Sequence, residues 1–163
     1  MADTTVKWFK TNDMIISAEK TKLLVLGTRT NRRIKMEQNQ VLEIEIEGRK
    51  VSAVKCEKLL GVLIDENLTW KTHFYGNDEH PGLLCSLQKR IGILKTVRKY
   101  VPDSKFKQVL SGIFISKLIY CISVWGGLWG LTGNLSEYGN PTISKDDMNR
   151  LQVLQNSALR LLT

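Results

Sequence analysis

The apolar residues of this chain change their spacing near Trp70, and this change constrains the fold more than any other feature. Before Trp70, "VLEIEIEG" alternates apolar and acidic residues, which is typical of a half-buried strand. "KVSAV" follows the turn at Gly48-Arg49 and is predicted to be its hairpin partner. After Trp70, apolar residues recur every three or four positions, as in amphipathic helices. Strands first and helices second predict an α+β fold with segregated halves.

The first half, residues 1–75, is predicted to be a small, antiparallel, strand-rich subdomain. "VKWFKTND" indicates the end of a helix stopped by Asn12-Asp13, and "KLLVLGT" indicates a buried strand. "KLLGVLID" adds a strand that is apolar on both faces and is therefore expected to be central. Asp65 closes this strand with only Glu66 as an acidic neighbour in sequence. We interpret Asp65 as the start of the "DENLTW" turn and not as a catalytic acid.

The second half, residues 76–163, is predicted to be helical. An amphipathic helix begins at Leu83 and is broken by Pro102. Asp103 or Ser104 is predicted to cap the next helix. The far end of that helix is apolar nearly all round, so we expect it to be buried.

The last helix is predicted to start at a capping box in "SKDD", formed by Ser144 and Asp147. Its apolar pattern continues to the end of the sequence. An apolar stripe of this kind favours self-association when no other element covers it. A homo-oligomer is therefore expected to use Leu151, Leu154, Ala158, Leu159 and Leu162.

The chain is basic, with a formal net charge of +8, which favours a polyanionic partner. The absence of an apolar run of eighteen residues predicts no membrane span, and no membrane partner is expected. One basic cluster lies in the probable loop "RTNRRIK" and contains Arg29, Arg32, Arg33 and Lys35. The other lies on the predicted helices and contains Lys89, Arg90, Lys95, Arg98, Lys99, Lys105 and Lys107. For each basic residue the alternative interpretation is a solvated helix face.

The sequence contains no arrangement typical of nucleophilic catalysis or of a zinc site. Its two histidines, His73 and His80, lie in or beside one loop, and with Cys85 they match no common zinc spacing. No metal ligands are therefore predicted. Three cysteines without a signal peptide suit a reducing compartment, so we expect an intracellular protein, nuclear or cytoplasmic.

Five fragments follow one another in a fixed order along nearly the whole chain: "WFKTNDMIISAEKTKLLVLGT", "EIEGRKVSAVKCEKLLGVLIDENLTWKTHF", "LQKRIGILKTVRKYVP", "LIYCISVWG" and "RLQVLQNSALRLLT". In this order and spacing they resemble the C-terminal part of reverse transcriptases from LINE-like, non-LTR retrotransposons. The chain departs from the family pattern around "YGNDEHPGLLC" and in the loop "LTGNLSEYGNPTISK".

The resemblance implies a role for several segments. Lys20 in "AEKT" matches a lysine at the end of the family's palm that is thought to protonate the leaving pyrophosphate. The first half resembles the palm end, and "KLLGVLID", with Leu60, Gly61 and Val62, resembles the strand pair that grips the primer. The second half resembles the thumb that holds the template–primer duplex, and Trp70 and Tyr75 could stack on bases or sugars.

The family's catalytic aspartates lie upstream of the matched fragments and are absent from this sequence, so the resemblance implies no catalytic residue here. Lys20 would be an acid catalyst without a reaction. The family uses Mg²⁺, but the residues that bind it are missing, and no cofactor is expected in the isolated chain. Two functions follow: binding of an RNA–DNA or other nucleic-acid duplex by an inactive, thumb-like fragment, or protein interaction and self-association without a nucleic-acid role.

Overall fold

A computed structural model describes residues 2–27, 30, 43–46, 48–125 and 143–162. The chain divides into two compact units, Met1–Leu68 and Thr69–Thr163. The first contains the strands and the second is helical, so the predicted α+β class is confirmed. The observed boundary between Leu68 and Thr69 lies seven residues before the predicted one, between residues 75 and 76. Phe74 belongs to the helical unit because it is part of the helical core.

The strand-rich unit contains, in its described residues, one helix and two small sheets. The helix and strands are α1 (Ala2–Thr11), β1 (Leu23–Leu24), β2 (Glu43–Ile46), β3 (Arg49–Val54), β4 (Cys56–Leu59) and β5 (Val62–Asp65). One sheet has the order β1-β3-β2, and the other pairs β4 with β5. The hairpin of β2 with β3 is antiparallel, as predicted, and β4 pairs with β5 in the same way, whereas β1 pairs with β3 in parallel. The single central strand expected for "KLLGVLID" is wrong. Leu60 and Gly61 lie in the turn between β4 and β5, and these two strands form a two-stranded sheet that has no central position.

The alternating segment forms β2 as predicted. Glu43 and Glu45 are exposed, Ile44 is half-buried and Ile46 is buried, so one face of the strand packs inward. Ile46 pairs with Arg49 across the turn, which completes the predicted hairpin with β3.

The other expectations for this unit have mixed outcomes. The N-terminal helix ends at Thr11, and Asp13 follows with a positive φ of 53°, which confirms the predicted stop at Asn12-Asp13. The buried strand predicted for "KLLVLGT" is only Leu23–Leu24, and both residues are half-buried. Leu26 is exposed. An apolar run is too short a signal to fix strand length or burial.

The helical unit contains, in its described residues, six helices and two irregular helical turns. They are α2 (Lys71–Tyr75), α3 (Leu83–Val97), α4 (Asp103–Leu110), a π-helical turn (Ser111–Ile115), α5 (Ser116–Ile119), α6 (Ile122–Trp125), α7 (Lys145–Leu159) and a 3-10 turn (Arg160–Leu162). Helix α3 packs against α2, α5, α7 and the π-helical turn. The core contains Phe74, Leu83, Leu87, Ile91, Leu94, Phe106, Leu110, Phe114, Leu118, Trp125, Ile143, Leu151 and Ala158.

The residues after Pro102 form a helix whose details differ from the expectation. Pro102 itself occupies the N-cap position and no side chain caps the helix, because Asp103 is already helical and pairs with Arg98. The helix then breaks at Tyr120-Cys121, where Cys121 has a φ of 53°.

The predicted burial of the far end of this helix is wrong for three described residues. Ile119, Ile122 and Val124 are 54%, 45% and 53% exposed, whereas Trp125 is buried. The break redirects the chain, so that the short helix α6 buries only its last residue. An apolar composition all round a helix predicts burial only when neighbouring elements cover every face.

Residues Asp103–Trp125 are long and apolar enough to meet the length and composition of a membrane-spanning helix, with a hydropathy of 1.5. Core helices of soluble proteins pass the same test. Here Phe106, Phe114 and Leu118 are buried in the core and the helix breaks at Tyr120, although only 17% of the apolar window is buried. By itself the stretch is weak evidence for a membrane span.

Helix α7 begins at the predicted capping box. The Asp147 backbone N–H donates to Ser144 Oγ, and the Ser144 backbone N–H donates to Asp147 Oδ2, both at 3.1 Å. The predicted set of self-association residues is wrong for Leu151, Leu154 and Ala158. Leu151 and Ala158 are buried in the core of their own chain, and Leu154 packs against that core. Two of the five residues remain exposed: Leu159 and Leu162.

Candidate nucleic-acid interface

Most of the excess positive charge belongs to the helical unit. Residues 69–163 contain twelve Lys and Arg against six Asp and Glu, which gives a net charge of +6. Residues 1–68 contain twelve Lys and Arg against ten Asp and Glu, which gives +2. The helical unit is therefore the part of the chain with the stronger long-range attraction for a polyanion.

Five lysines on or beside α3 and α4 are exposed: Lys89, Lys95, Lys99, Lys105 and Lys107. Within the described residues, none of them has a carboxylate oxygen within 4.0 Å. Lys95 lies in the last turn of α3 and Lys99 follows it by four residues, so the two neighbour each other along the helix end. We name these five residues the lysine set. Their ammonium groups are available to an anionic partner.

The arginine Arg90, predicted with the lysines, makes a contact inside the chain. Its guanidinium Nη1 donates a hydrogen bond of 2.6 Å to the backbone carbonyl of Ile113, in the π-helical turn. A π-helical turn bonds residues five apart and displaces the regular helical pairing of its carbonyls. Arg90 stabilises this irregular turn from the neighbouring helix, which makes it less available to a phosphate.

The other arginine of the cluster, Arg98, joins three parts of the helical unit. Its Nε donates to the carbonyl of Leu161 at 2.9 Å, and its Nη2 lies 2.7 Å from Asp103 Oδ1. Its Cζ also lies 4.8 Å from the ring centroid of Phe106. Both arginines thus serve intrachain packing, and sequence spacing could not distinguish them from the lysines.

We expect Arg90→Met to lower the free energy of unfolding by about 1–3 kcal/mol, because the variant loses a charge-assisted hydrogen bond and keeps the apolar stem. The matched control is Lys89→Met, which makes the same kind of change at an exposed neighbour and should have an effect near zero. Urea unfolding of both variants measures the difference. Equal transition midpoints would contradict a structural role for Arg90.

The remaining candidates of the sequence interpretation lie in several places. Trp70 is half-buried, packs against the helical core and has a φ of 59°, so packing accounts for it. Lys20 is exposed in a turn where its backbone N–H donates to Ser17 Oγ. The loop arginines lie outside the described residues: Arg29, Arg32 and Arg33.

The segment that resembles a primer-gripping strand pair forms the hairpin β4–β5. Leu59 pairs with Val62, and the two turn residues between them, Leu60 and Gly61, have φ of 48° and 87°. Two positive φ angles are the requirement of a type I′ turn, which glycine meets without strain and leucine does not. Leu60 is 82% exposed at the tip, whereas Val62 is buried.

Asp65 has the turn-forming role predicted from sequence. Its Oδ1 accepts a hydrogen bond of 2.9 Å from the backbone N–H of Asn67, and its carbonyl accepts one of 3.0 Å from Leu68. A side-chain bond to the backbone two residues later is the geometry of an Asx turn. Asp65 therefore closes β5 and orders the turn that follows.

Sequence reasoning missed a polar contact between α2 and α7. The Tyr75 hydroxyl donates to Asp147 Oδ1, and Arg150 Cζ lies 5.8 Å from the Tyr75 ring centroid. The hydrogen bond to Asp147 raises the pKa of Tyr75. Burial alone would raise the pKa of Asp147, but hydrogen bonds from Tyr75 and Ser144 hold it below its usual value. The ionised Asp147 caps α7 and receives a bond from α2.

A second missed feature is the burial of His73. The side chain is 4% exposed, and its ring centroid lies 5.9 Å from that of Trp125. Burial, with repulsion from Lys117, lowers the pKa of His73 to about 4. Among the residues that the structure describes, no group of three or more His, Cys, Asp and Glu is placed to hold a metal ion. His73 is a neutral core residue at neutral pH.

The chain was compared with protein families, curated proteins and solved structures. No family model matches the sequence, and no curated protein or solved structure matches it significantly. The resemblance to reverse transcriptases therefore rests on the quoted fragments alone.

Proposed function

We propose that this chain binds a nucleic-acid duplex, such as an RNA–DNA template–primer, through the lysine set of its helical unit. The observation that carries the proposal is the exposure of five lysines without a carboxylate partner in the described residues, within a unit of net charge +6. The fragments that resemble a LINE-like reverse transcriptase support the same partner. By that resemblance, the chain is a non-catalytic, thumb-like part of an RNA-directed DNA polymerase.

Lysines bind phosphates as point charges, and this chemistry fits a duplex held by its backbone. Each phosphate that a lysine neutralises releases a condensed counterion, so the affinity falls steeply as salt concentration rises. Such contacts position the protein without reading the base sequence. The proposed activity is therefore general duplex binding.

The hairpin β4–β5 is the second element of the proposal. Its resemblance to a primer-gripping strand pair assigns Leu60, Gly61 and Val62 to the primer end of the duplex. Val62 is buried, so the direct contact is assigned to the turn residues Leu60 and Gly61. The exposed Leu60 side chain offers an apolar contact to a sugar or a terminal base.

We expect Lys95→Gln/Lys99→Gln to reduce the salt dependence of binding. Loss of two phosphate contacts lowers the slope of log K against log salt by about 1.8 for a B-form duplex, and by a comparable amount for a hybrid. The measurement is fluorescence anisotropy of a labelled RNA–DNA duplex at several salt concentrations.

The matched control for that experiment is Lys7→Gln/Lys55→Gln, which removes the same charge from exposed lysines of the strand-rich unit. The control should retain the wild-type slope. A control slope reduced as much as that of Lys95→Gln/Lys99→Gln would show that only net charge matters. Binding that is absent or independent of salt would overturn the proposed function.

The alternative function is protein interaction or self-association, and exposed apolar groups favour it. Ile119, Ile122 and Val124 are exposed on α5 and α6. A groove of about 310 Å³ between α3 and α7 is lined by Leu84, Gln88, Asn149, Arg150, Val153 and Leu154. Apolar assembly persists at high salt, whereas phosphate binding weakens, so light scattering at high salt distinguishes the two functions.

A further inference from the structure

Tyr100 is the most exposed aromatic side chain in the part of the chain that the structure describes, at 81%. It lies in the turn that ends α3, where its backbone N–H donates to the carbonyl of Val97 at 2.9 Å. Tyr100 lies outside the apolar stripe that begins on α3, whose inward-facing residues near the end of the helix are Leu94, Val97 and Val101. An aromatic ring left in water at a defined turn offers a large flat surface to a ligand.

The surroundings of Tyr100 are basic and accessible. Lys99 precedes it directly, Lys95 lies five residues earlier, and Lys105 follows beyond Pro102. On the outer face of α3, Lys89, Ile93 and Thr96 lie three or four residues apart and are all exposed. Tyr100 continues this spacing at the end of the helix. Tyr100 is thus adjacent in sequence to Lys99 of the lysine set and exposed like it.

A comparison with two other tyrosines shows that the Tyr100 ring is uncovered. Lys117 Nζ lies 5.7 Å from the ring centroid of Tyr120, and Arg150 Cζ lies 5.8 Å from that of Tyr75. Tyr100 has no such contact with any described residue, and the nearby Arg98 lies over Phe106. The chain itself covers two exposed tyrosine rings with cations and leaves the third ring open among the described residues.

We propose that Tyr100 stacks on an unpaired base, in a single-stranded extension of the duplex that the lysine set binds. This inference rests on the proposed function. Bases inside a duplex are already stacked on both sides, so a protein ring can stack only on a base that is unpaired or terminal. Every base has an aromatic face, so the contact adds affinity for single strands without sequence preference. The lysine set holds the phosphates of the duplex, and Tyr100 adds the contact with the extension.

The test compares two labelled probes with the full chain by fluorescence anisotropy: a blunt RNA–DNA duplex and the same duplex with a single-stranded RNA extension. We expect the wild type to bind the extended probe about tenfold more tightly, as one stacked base contributes. Tyr100→Ala should lose this preference and keep its affinity for the blunt probe. Tyr100→Phe retains the ring and should retain the preference.

A matched control and a cross-link complete the test. Ile15→Ala removes another exposed apolar side chain, from the strand-rich unit, and should leave both affinities unchanged. With 5-iodouracil in the extension, ultraviolet light should cross-link the probe to the peptide that contains Tyr100.

The possible results separate the two proposals. If the wild type binds both probes with equal affinity, or if Tyr100→Ala keeps the preference for the extended probe, stacking by Tyr100 is overturned and duplex binding stands. If the wild type binds neither probe in a salt-dependent way, the proposed function fails, and the inference fails with it.

Discussion

Gly82→Ala is expected to destabilise the helical unit by about 3 kcal/mol or more, because the added methyl group has no space. A Cβ at Gly82 would lie 2.3 Å from the backbone carbon of Tyr75 and 2.4 Å from the backbone nitrogen of Gly76. These are backbone atoms of a closed loop and cannot rotate away. The φ of Gly82 is −73°, which any residue adopts, so the whole effect is steric.

The loop around Gly82 explains why the contact is so close. Gly76 and Pro81 form a bridge, and the Asn77 backbone N–H donates to the carbonyl of His80 at 2.9 Å. The loop thereby folds back on itself and brings α2 against the start of α3. Alanine at Gly82 would open this junction next to the buried Phe74 and Leu83.

The matched control for this prediction is Gly92→Ala. Gly92 lies inside α3, and a Cβ there meets no atom within 4 Å. Alanine is favoured over glycine in a helix, so the control should stabilise the protein by about 0.5–1 kcal/mol. The two substitutions have the same chemistry and opposite expected signs. Chemical unfolding measures both, and a loss below 1 kcal/mol for Gly82→Ala would contradict the closed loop.

The free energy of unfolding is expected to fall by about 3 kcal/mol between pH 7 and pH 4 because of His73. In the unfolded chain His73 binds a proton near its ordinary pKa of 6.5, whereas burial, with repulsion from Lys117, lowers the folded pKa to about 4. Protonation therefore favours the unfolded chain below pH 6.5. The stability is fully present above that pH and is lost progressively down to the folded pKa.

Substitution identifies the source of this pH dependence. His73→Gln keeps a polar side chain without a proton to bind and should remove the change in stability between pH 7 and pH 4. Lys117→Met removes the repulsion and leaves His73 in the core, so this variant should keep most of the change. Asp147 contributes little over this range, because the stability from its lowered pKa is lost mainly as the pH falls below the ordinary value of 3.8. Denaturant titrations across the pH range provide the measurement, and an unchanged pH dependence in His73→Gln would exclude His73 as its source.

Local signals predicted much of the local structure. The alternation at Ile44 and Ile46 predicted a half-buried strand, and the acid three residues after Ser144 predicted the cap of α7. The turn at Asp65 was also predicted, because an Asx turn is made within three residues. Periodicity and capping depend on residues close in sequence, so the local amino-acid sequence contains the information needed to predict them.

The candidate site was less accessible to sequence reasoning. Seven basic residues looked equivalent, but Arg90 and Arg98 bond to carbonyls contributed by Ile113 and Leu161. Neither partner is identifiable from charge or spacing, since a backbone carbonyl exists at every position. Tyr100 was not singled out from the sequence either. The one available indication was that it lies outside the apolar pattern, between the inward-facing Val97 and Val101.

The sequence by itself determined the α+β class, the hairpin of β2 with β3, the amphipathic helix α3, the cap of α7 and the basic character of the chain. Only the tertiary structure decided which basic side chains are available to a partner and which leucines are buried in the core. It also decided which glycine has no space for a larger side chain. Helix period and net charge are properties of neighbouring residues or of composition. The exposure of Tyr100, the burial of His73 and the closed space at Gly82 depend on distant segments meeting, and a single sequence does not encode those contacts in any local pattern.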